Sequence, residues 1–237
     1  MIDIHSHIIP GVDDGAASWE EAVRMCRMAE QDGINVLVAT PHVFNGMAST
    51  NGHHFEDALY QLKRKLDEEE IELEILLGAE VHCRPDLPNL LEQEISLTLN
   101  GNGRYFLLEF PHSIVPPNSD QLIFQLITKN LIPIIVHPER NMYLQSHLNL
   151  LADFIKQGAL CQITAMSLTG GFGLKAMECA RELLKRNLVH IIASDAHNEV
   201  ARQPLLSKVR EDVRKNFGFA KAHEFFETTP RKVLMKE

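Results

Sequence analysis

Apolar and polar positions along this chain of 237 residues switch repeatedly between two periods. After Ser18, the positions Ala22, Met25, Cys26 and Ala29 recur three and four apart, the stripe of a helix with one buried face. Ser18 with Glu21 forms a capping box at its start, and Gly33 supplies a stop. The continuous apolar, partly β-branched run over 34–39 then predicts a buried strand. The same reading predicts helices over 55–70, 87–94, 119–130, 146–157, 174–187 and 202–217, and strands over 71–77, 105–110, 132–136, 160–164 and 189–193. Together with the short apolar start at Ile2 and Ile4, about seven buried strands interleave with helices. An α/β fold with an open seven-stranded parallel barrel is the preferred architecture, and a doubly wound open sheet is the alternative. No repeat, low-complexity tract or linker divides the chain, so one domain is expected over 1–237. The longest stretch without periodicity, 40–54, contains Gly46, Ser49, Asn51 and Gly52 and reads as a mobile loop beside the site.

Composition narrows the class. A net charge of −9 and a pI near 5.7 argue against a nucleic-acid backbone as partner. The longest apolar runs, such as 132–136, fall far short of the roughly 20 residues of a membrane span. No secretory leader is expected, because the N-terminus lacks charged and apolar leader regions. Cys26, Cys83, Cys161 and Cys179 are scattered without Cys-x-x-Cys spacing, and read as reduced thiols of a cytoplasmic protein.

The chemistry collects at strand ends, where barrels build their sites. His5 and His7 stand two apart on the first strand, so both rings point one way. Asp195 and His197 form a second i, i+2 pair of ligand type after the last strand. The other exits carry Asp13 and Asp14, His42, Glu80, Glu109, and His137 followed by Glu139 and Arg140. Five imidazoles and up to four carboxylates exceed one tetrahedral ion and suggest a cluster of two or three. Several buried carboxylates repel one another unless cations compensate. Each residue taken alone also has a structural reading as a capping His or a paired carboxylate. His53, His54, His147 and His223 are read as solvent-facing and His190 as structural, while His82 and His112 are not assigned as ligands. Arg140, just past a candidate ligand, is placed to clamp phosphate oxygens; a surface arginine at a helix start is the alternative.

These strings, Ile4-His5-Ser6-His7, Asp13-Asp14-Gly15, Ala39-Thr40-Pro41-His42, Leu108-Glu109-Phe110-Pro111, His137-Pro138-Glu139-Arg140-Asn141 and Ala193-Ser194-Asp195-Ala196-His197, resemble the polymerase and histidinol phosphatase (PHP) superfamily. More narrowly, they resemble its bacterial tyrosine-protein phosphatases of capsular and exopolysaccharide synthesis. Ser167 to Gly170, followed by Phe172-Gly173, also matches that subfamily. The resemblance implies a distorted (β/α)7 TIM-like barrel with three divalent metal ions, manganese first and iron or zinc as alternatives. It implies the ligand set His5, His7, Asp14, His42, Glu80, Glu109, His137, Asp195 and His197, with Arg140 binding phosphate.

The expected reaction is hydrolysis of a phosphomonoester, foremost phosphotyrosine on the tail of a bacterial tyrosine kinase, by attack of metal-bound hydroxide. A Cys-x5-Arg phosphate loop is absent: six residues after the four cysteines stand Asp32, Asn89, Ser167 and Lys185. A histidinol-phosphate or other small-molecule phosphoesterase is the enzymatic alternative, and a phosphotyrosine-binding regulatory subunit the non-enzymatic one. An amidohydrolase is disfavoured because Glu80 and Glu109 occupy strand ends where a bridging lysine is usual.

Overall fold

The computed structural model describes residues 1–44 and 52–236, the side chains at 52–54 excepted. The central part of the predicted 40–54 loop, and the side chains of His53 and His54, therefore lie outside the described residues. Among the described residues are nine short strands: β1 (Ile2–Ser6), β2 (Val36–Ala39), β3 (His42–Val43), β4 (Glu74–Leu77), β5 (Glu80–His82), β6 (Tyr105–Glu109), β7 (Ile132–Val136), β8 (Leu160–Thr164) and β9 (Ile191–Ala193). All pairings are parallel, in the orders β1-β2-β4 and β3-β5-β6-β7-β8-β9. The two sheets are continuous across two interruptions. Pro41, which has no N–H to donate, separates β2 from β3, and Gly78-Ala79 separates β4 from β5. Gly78 N–H still donates to Ala39 O (2.9 Å) and Glu80 N–H to Pro41 O (3.0 Å) across the gap. Two strands are thus split in halves, and the nine segments make seven strand positions.

The first and last positions meet at the site end. Asp195 N–H donates to His5 O (2.9 Å), His7 N–H donates to Ala196 O (2.7 Å), and Ser6 bridges Ala196 in parallel. The architecture is the distorted (β/α)7 barrel expected, and the doubly wound sheet is set aside.

Two apolar layers hold it. Leu37, Phe106, Ile135, Ile163 and Ile192 pack outward against Met25 of α1 (Trp19–Gln31), Leu62 of α2 (Gly52–Glu68), Leu126 of α4 (Ser119–Thr128), Phe154 of α5 (Leu148–Gln157) and Leu183 of α7 (Leu174–Lys185). Between these helices lie the short α3 (Leu87–Gln93) and α6 (Ala165–Leu168). A smaller cluster of Ile2, Ile4, Val38, Leu107, Ile134, Val136 and Ile191 fills the barrel interior. Helix α1 starts where its cap predicts: Ser18 Oγ accepts from Glu21 N–H (3.2 Å), and Gly33 follows with φ 86°.

Two departures from the sequence expectation shape the molecule. The helix expected from 202 begins only at Ser207, as α8 (Ser207–Phe217). Pro204 disfavours helix in the residue before it, and Asp32 instead caps α8 by accepting from Leu206 and Ser207 N–H (2.6 and 2.8 Å). The C-terminal segment, for which the pattern predicted nothing, forms α9 (Phe219–His223), a π-helical turn at Glu224–Thr228 and α10 (Thr229–Leu234). Val233 and Leu234 join the interior cluster with Leu99, and their carbonyls accept from Asn102 and Asn100 side-chain amides (2.6 and 3.1 Å). The floor of the barrel is sealed in this way, leaving chemistry to the opposite mouth. Among the described residues no helix is long and apolar enough to cross a membrane.

Candidate metal centre

The aim of His5 and His7 depends on a defect in β1. Asp3 pairs with Leu37, yet Ser6 pairs with Ala39, so three steps on β1 oppose two on β2. This β-bulge re-aims the side chains beyond it. The displaced His5 N–H is taken up by Asp3 Oδ1 (3.3 Å), which also accepts Ser194 N–H (3.0 Å). Burial pushes the Asp3 carboxyl up to about 6 against these hydrogen bonds. Ser6 N–H donates to Thr40 Oγ1 (3.1 Å) and Thr40 N–H to Ser6 O (2.8 Å), pinning the other side of the bulge. Gly15 lies so close to His7 that a Cβ would overlap the His7 carbonyl, which is why the Asp13-Asp14 turn ends in glycine. At two further exits the backbone itself is left-handed: His137 has φ 35° and Asp195 φ 53°. Such non-glycine conformations are costly and concentrate at functional sites.

Hydrogen bonds set the ring tautomers. His5 Nδ1–H donates to Gln162 Oε1 (2.8 Å), and His7 Nδ1–H to the Asp13 carboxylate (2.8 Å). With both Nδ1 protons committed, each ring turns its Nε2 inward, and that atom offers a lone pair whenever the ring is neutral. These two nitrogens lie 3.2 Å apart. Each is 3.3 Å from Glu80 Oε2 and 3.5 Å from Asp195 Oδ1. His197 Nδ1–H donates to the Asp195 carbonyl (3.0 Å), leaving its Nε2 3.6 Å from Asp14 Oδ1. His42 faces Asp14 (3.4 Å) through Nε2 and Glu80 (2.9 Å) through Nδ1. His137 Nε2 reaches Glu80 Oε1 (2.7 Å) and lies 4.0 Å from Glu109 Oε1.

Among the described residues three overlapping groups result, each with donor atoms within 4.8 Å of one another: His5, His7 and Glu80; His42, Glu80 and Glu109; and His7, Asp14, His42 and His197. Asp195 adjoins the first group and His137 the second. The donors suit divalent cations. Glu80 Oε2 and His42 Nδ1 are buried 2.9 Å apart without the alignment of a hydrogen bond, and the convergent Nε2 atoms of His5 and His7 favour a positive charge between them. The electrostatics agree. Burial opposes charge on His5, yet Glu80 and Asp195 outweigh it and hold that ring above the ordinary imidazole range. Asp13, Asp195 and Glu80 do the same for His7. Glu80 and Asp195 stay well below the carboxylate range despite burial, with His5 the leading counterweight at each. Burial and then His7 drive His197 down to about 2, so it stays neutral and able to ligate.

Above the cluster opens a cleft of about 260 Å³, lined by Asp14, His42, Glu109, His137, Arg140 and Arg202 among others. Both arginines bind one oxygen, Asp195 Oδ2: Arg140 through Nη1, and Arg202 through Nη2 at 2.6 Å. Glu139, between His137 and Arg140 in sequence, turns away. Its Oε1 accepts from Thr164 N–H (2.9 Å) and Ser167 Oγ–H (2.7 Å), fixing the turn that carries them. The thiols are unsuited to act as nucleophiles: burial pushes Cys26 and Cys179 up to about 12 and Cys83 to about 11.

The family model for capsular polysaccharide synthesis, CpsB/CapC, matches residues 1–235. The chain belongs to the CpsB/CapC family. It is 38% identical over 218 residues to the tyrosine-protein phosphatase YwqE of Bacillus subtilis (strain 168), covering 92% of this chain and 85% of that one. To the tyrosine-protein phosphatase CpsB of Streptococcus pneumoniae it is 32% identical over 242 residues, covering 100% and 99%. The fold superposes with TM-score 0.93 and 36% identity on a chain from crystal structures of YwqE and CpsB, unique metal-dependent tyrosine phosphatases, covering 99% and 94%.

For this CpsB/CapC member, all ten residues singled out in the sequence stand around one mouth, Asp14 being the most exposed of the nine candidate ligands. His82 comes closer than expected, with Nδ1 3.3 Å from Glu109 Oε2. His112, His147 and His223 are exposed, and His190 is structural, pairing with both backbone groups of Cys161. Three contributors, Gln162, Asp3 and Arg202, were missed, and a fourth, Asp13, was noted without a role. Asp13 stands beside Asp14 in the same string but supports His7. Gln162 and Asp3 are polar residues inside buried strands, which is itself a signal. Arg202 had none, being placed in an expected helix.

Proposed function

We propose that this chain is a metal-dependent phosphomonoester hydrolase whose substrate is phosphotyrosine on the tail of a bacterial tyrosine kinase. The nine candidate ligands would hold three divalent ions, manganese first and iron or zinc after it: mixed imidazole and carboxylate donors without thiolate suit these metals. When bound, such ions neutralise phosphoryl charge and acidify water for attack on phosphorus. The observation that carries this reading is the pair of arginines converging on one oxygen of Asp195, at the edge of the His/Glu cluster. Two planar guanidiniums in a narrow cleft suit a tetrahedral oxyanion, and their charge stabilises the transferring phosphoryl group. Asp13 and Gln162 orient His7 and His5, and Glu139 fixes the turn bearing His137 and Arg140. The buried, high-pKa thiols support a mechanism without a cysteine nucleophile and action in the reducing cytoplasm. In the CpsB/CapC setting, the reaction would reset a kinase that controls capsule or exopolysaccharide synthesis.

The test is phosphate release from a tyrosine-phosphorylated kinase-tail peptide and from histidinol phosphate, with p-nitrophenyl phosphate as reference. EDTA should abolish turnover, and Mn²⁺ should restore it better than Mg²⁺, which binds imidazole poorly. The phosphopeptide should be the better substrate. Preference for histidinol phosphate would move the chain to the small-molecule phosphoesterases. Peptide binding without release under any metal would make it a regulatory subunit, and full activity without metal would end the reading.

A further inference from the structure

We infer that Phe172 is a positioning residue: a ring that holds Arg140 and Arg202 together as one phosphate clamp. The inference rests on the phosphatase reading above. The Arg140 guanidinium carbon lies 4.2 Å from the Phe172 ring centroid, and that of Arg202 lies 5.5 Å from the same centroid. The two cations arrive from unrelated parts of the chain, one after β7 and the other seven residues past Asp195. Both bind Asp195 Oδ2. Like charges so placed repel, and Asp195 is an incomplete counterweight because its Oδ1 faces His5 and His7 at 3.5 Å. An aromatic face attracts both cations through its quadrupole without taking up any of their N–H donors. The donors not engaged by Asp195 are thus left to phosphate oxygens, which a second carboxylate in the same place would prevent.

The loop carrying Phe172 is built for presentation. Gly170 and Gly173 flank it with φ 87° and 86°, conformations that side chains rarely adopt. Gly170 N–H donates to Ser167 O (3.2 Å), Gly171 N–H to Met166 O (3.0 Å) and Gly173 N–H to Gly170 O (2.9 Å). Gly171 packs against Met166 so closely that a Cβ would collide with that side chain. Ser167 in turn donates to Glu139, in the turn that carries Arg140. Ring and clamp are therefore anchored to one another through Glu139. The ring is half-buried, in keeping with a side chain packed beside two arginines.

The test compares Phe172→Leu, Phe172→Trp and Arg140→Ala with the parent, all manganese-loaded. Inorganic phosphate binding is measured by calorimetry and by inhibition of p-nitrophenyl phosphate turnover. Metal content and circular dichroism are recorded beside them. Phe172→Leu keeps apolar bulk but no quadrupole. It should weaken phosphate binding on the order of five- to thirty-fold, the span two cation–π contacts supply at a partly exposed site. Metal content should not change, and Phe172→Trp should bind phosphate at least as well as the parent. Equal behaviour of the Leu and Trp variants would reduce Phe172 to apolar packing and overturn the inference. If Arg140→Ala weakens phosphate binding while Phe172→Leu does not, the ring alone loses its role. If Arg140→Ala also binds phosphate as the parent does, the clamp itself fails and the ring's role goes with it.

Discussion

Gln162→Leu separates orientation of a ligand from mere filling of the core. Gln162 is fully buried in β8, and its Oε1 accepts the His5 Nδ1 proton at 2.8 Å. Leucine keeps much of the volume and removes the acceptor. The stability cost is small for a specific reason. Orphaning the His5 Nδ1–H costs roughly 1–3 kcal/mol. The Gln162 Nε2, however, already lies buried without a partner, and its removal returns a similar amount. The net change should stay within about 1 kcal/mol, a melting shift of about 4 °C or less for a protein of this size. Metal affinity should respond far more. Without its acceptor, His5 no longer favours the tautomer that turns the Nε2 lone pair toward Glu80 and Asp195. Losing such an outer partner typically lowers metal affinity ~10–100-fold, or about 1.4–2.8 kcal/mol. The assay is Mn²⁺ titration against a competing chelator dye, alongside activity at increasing free Mn²⁺. Activity at saturating Mn²⁺ should return most of the way to the parent value. Unchanged Mn²⁺ affinity, with or without a lower melting temperature, would refute the argument and leave Gln162 a core residue.

Arg140→Ala and Arg202→Ala should each slow turnover on the order of 10²–10³-fold, by analogy with loss of one oxyanion donor. Metal content should be retained and lysine should rescue only partly, because an ammonium keeps the charge but not the planar fork; parent-like kinetics would return either arginine to a structural ion pair with Asp195. A separate effect concerns pH and folding. His190 accepts Cys161 N–H through Nδ1 (3.1 Å), and burial, only partly opposed by Glu224, holds its pKa below the ordinary imidazole value. Below about pH 6.5 the unfolded chain binds this proton more readily. The stability His190 contributes is thus present above that pH and is lost as pH falls toward its folded pKa. His190→Asn should flatten that slope in denaturant titrations at pH 7.5 and 5.5, and an identical slope in both proteins would disprove it.

Much of this molecule was legible because its signals are local. A helix cap such as Ser18 with Glu21, a 3.6 period and a buried apolar run each involve neighbouring residues, and each predicted its element to within a few positions. The candidate ligands were legible for a related reason: in a parallel barrel every strand exit faces the same mouth, so reading exits one by one assembles the site without knowing the packing. What failed were features decided by distant partners. Arg202 left its expected helix because Pro204, the Asp32 cap and the Asp195 carboxylate outweigh a helical pattern. Helix α10 was invisible because its reason to fold is the open floor of the barrel, and its apolar residues answer to Leu99, Ile2 and Ile4 rather than to one another.

The His-x-His string shows how a correct reading can rest on an incomplete reason. Strict alternation puts Asp3, His5 and His7 on one face of β1 and Ile2 and Ile4 on the other. Yet Ile2 and Ile4 fill the barrel interior, and His5 reaches Gln162, which pairs in register with interior Ile191. Both sets point inward only because one extra residue intervenes between Asp3 and Ser6. The strand therefore spends its first half on the core and, after the bulge, its second half on the metal centre. The bulge is held by Asp3 Oδ1 and Thr40 Oγ1, a carboxylate and a hydroxyl that period and propensity read only as polar interruptions. Asp3 further ties the bulge to Ser194, one residue before Asp195. One buried carboxylate thus links the backbones that carry the first and last candidate ligand pairs, which explains a polar residue at a strand position where the pattern alone would call for valine or isoleucine.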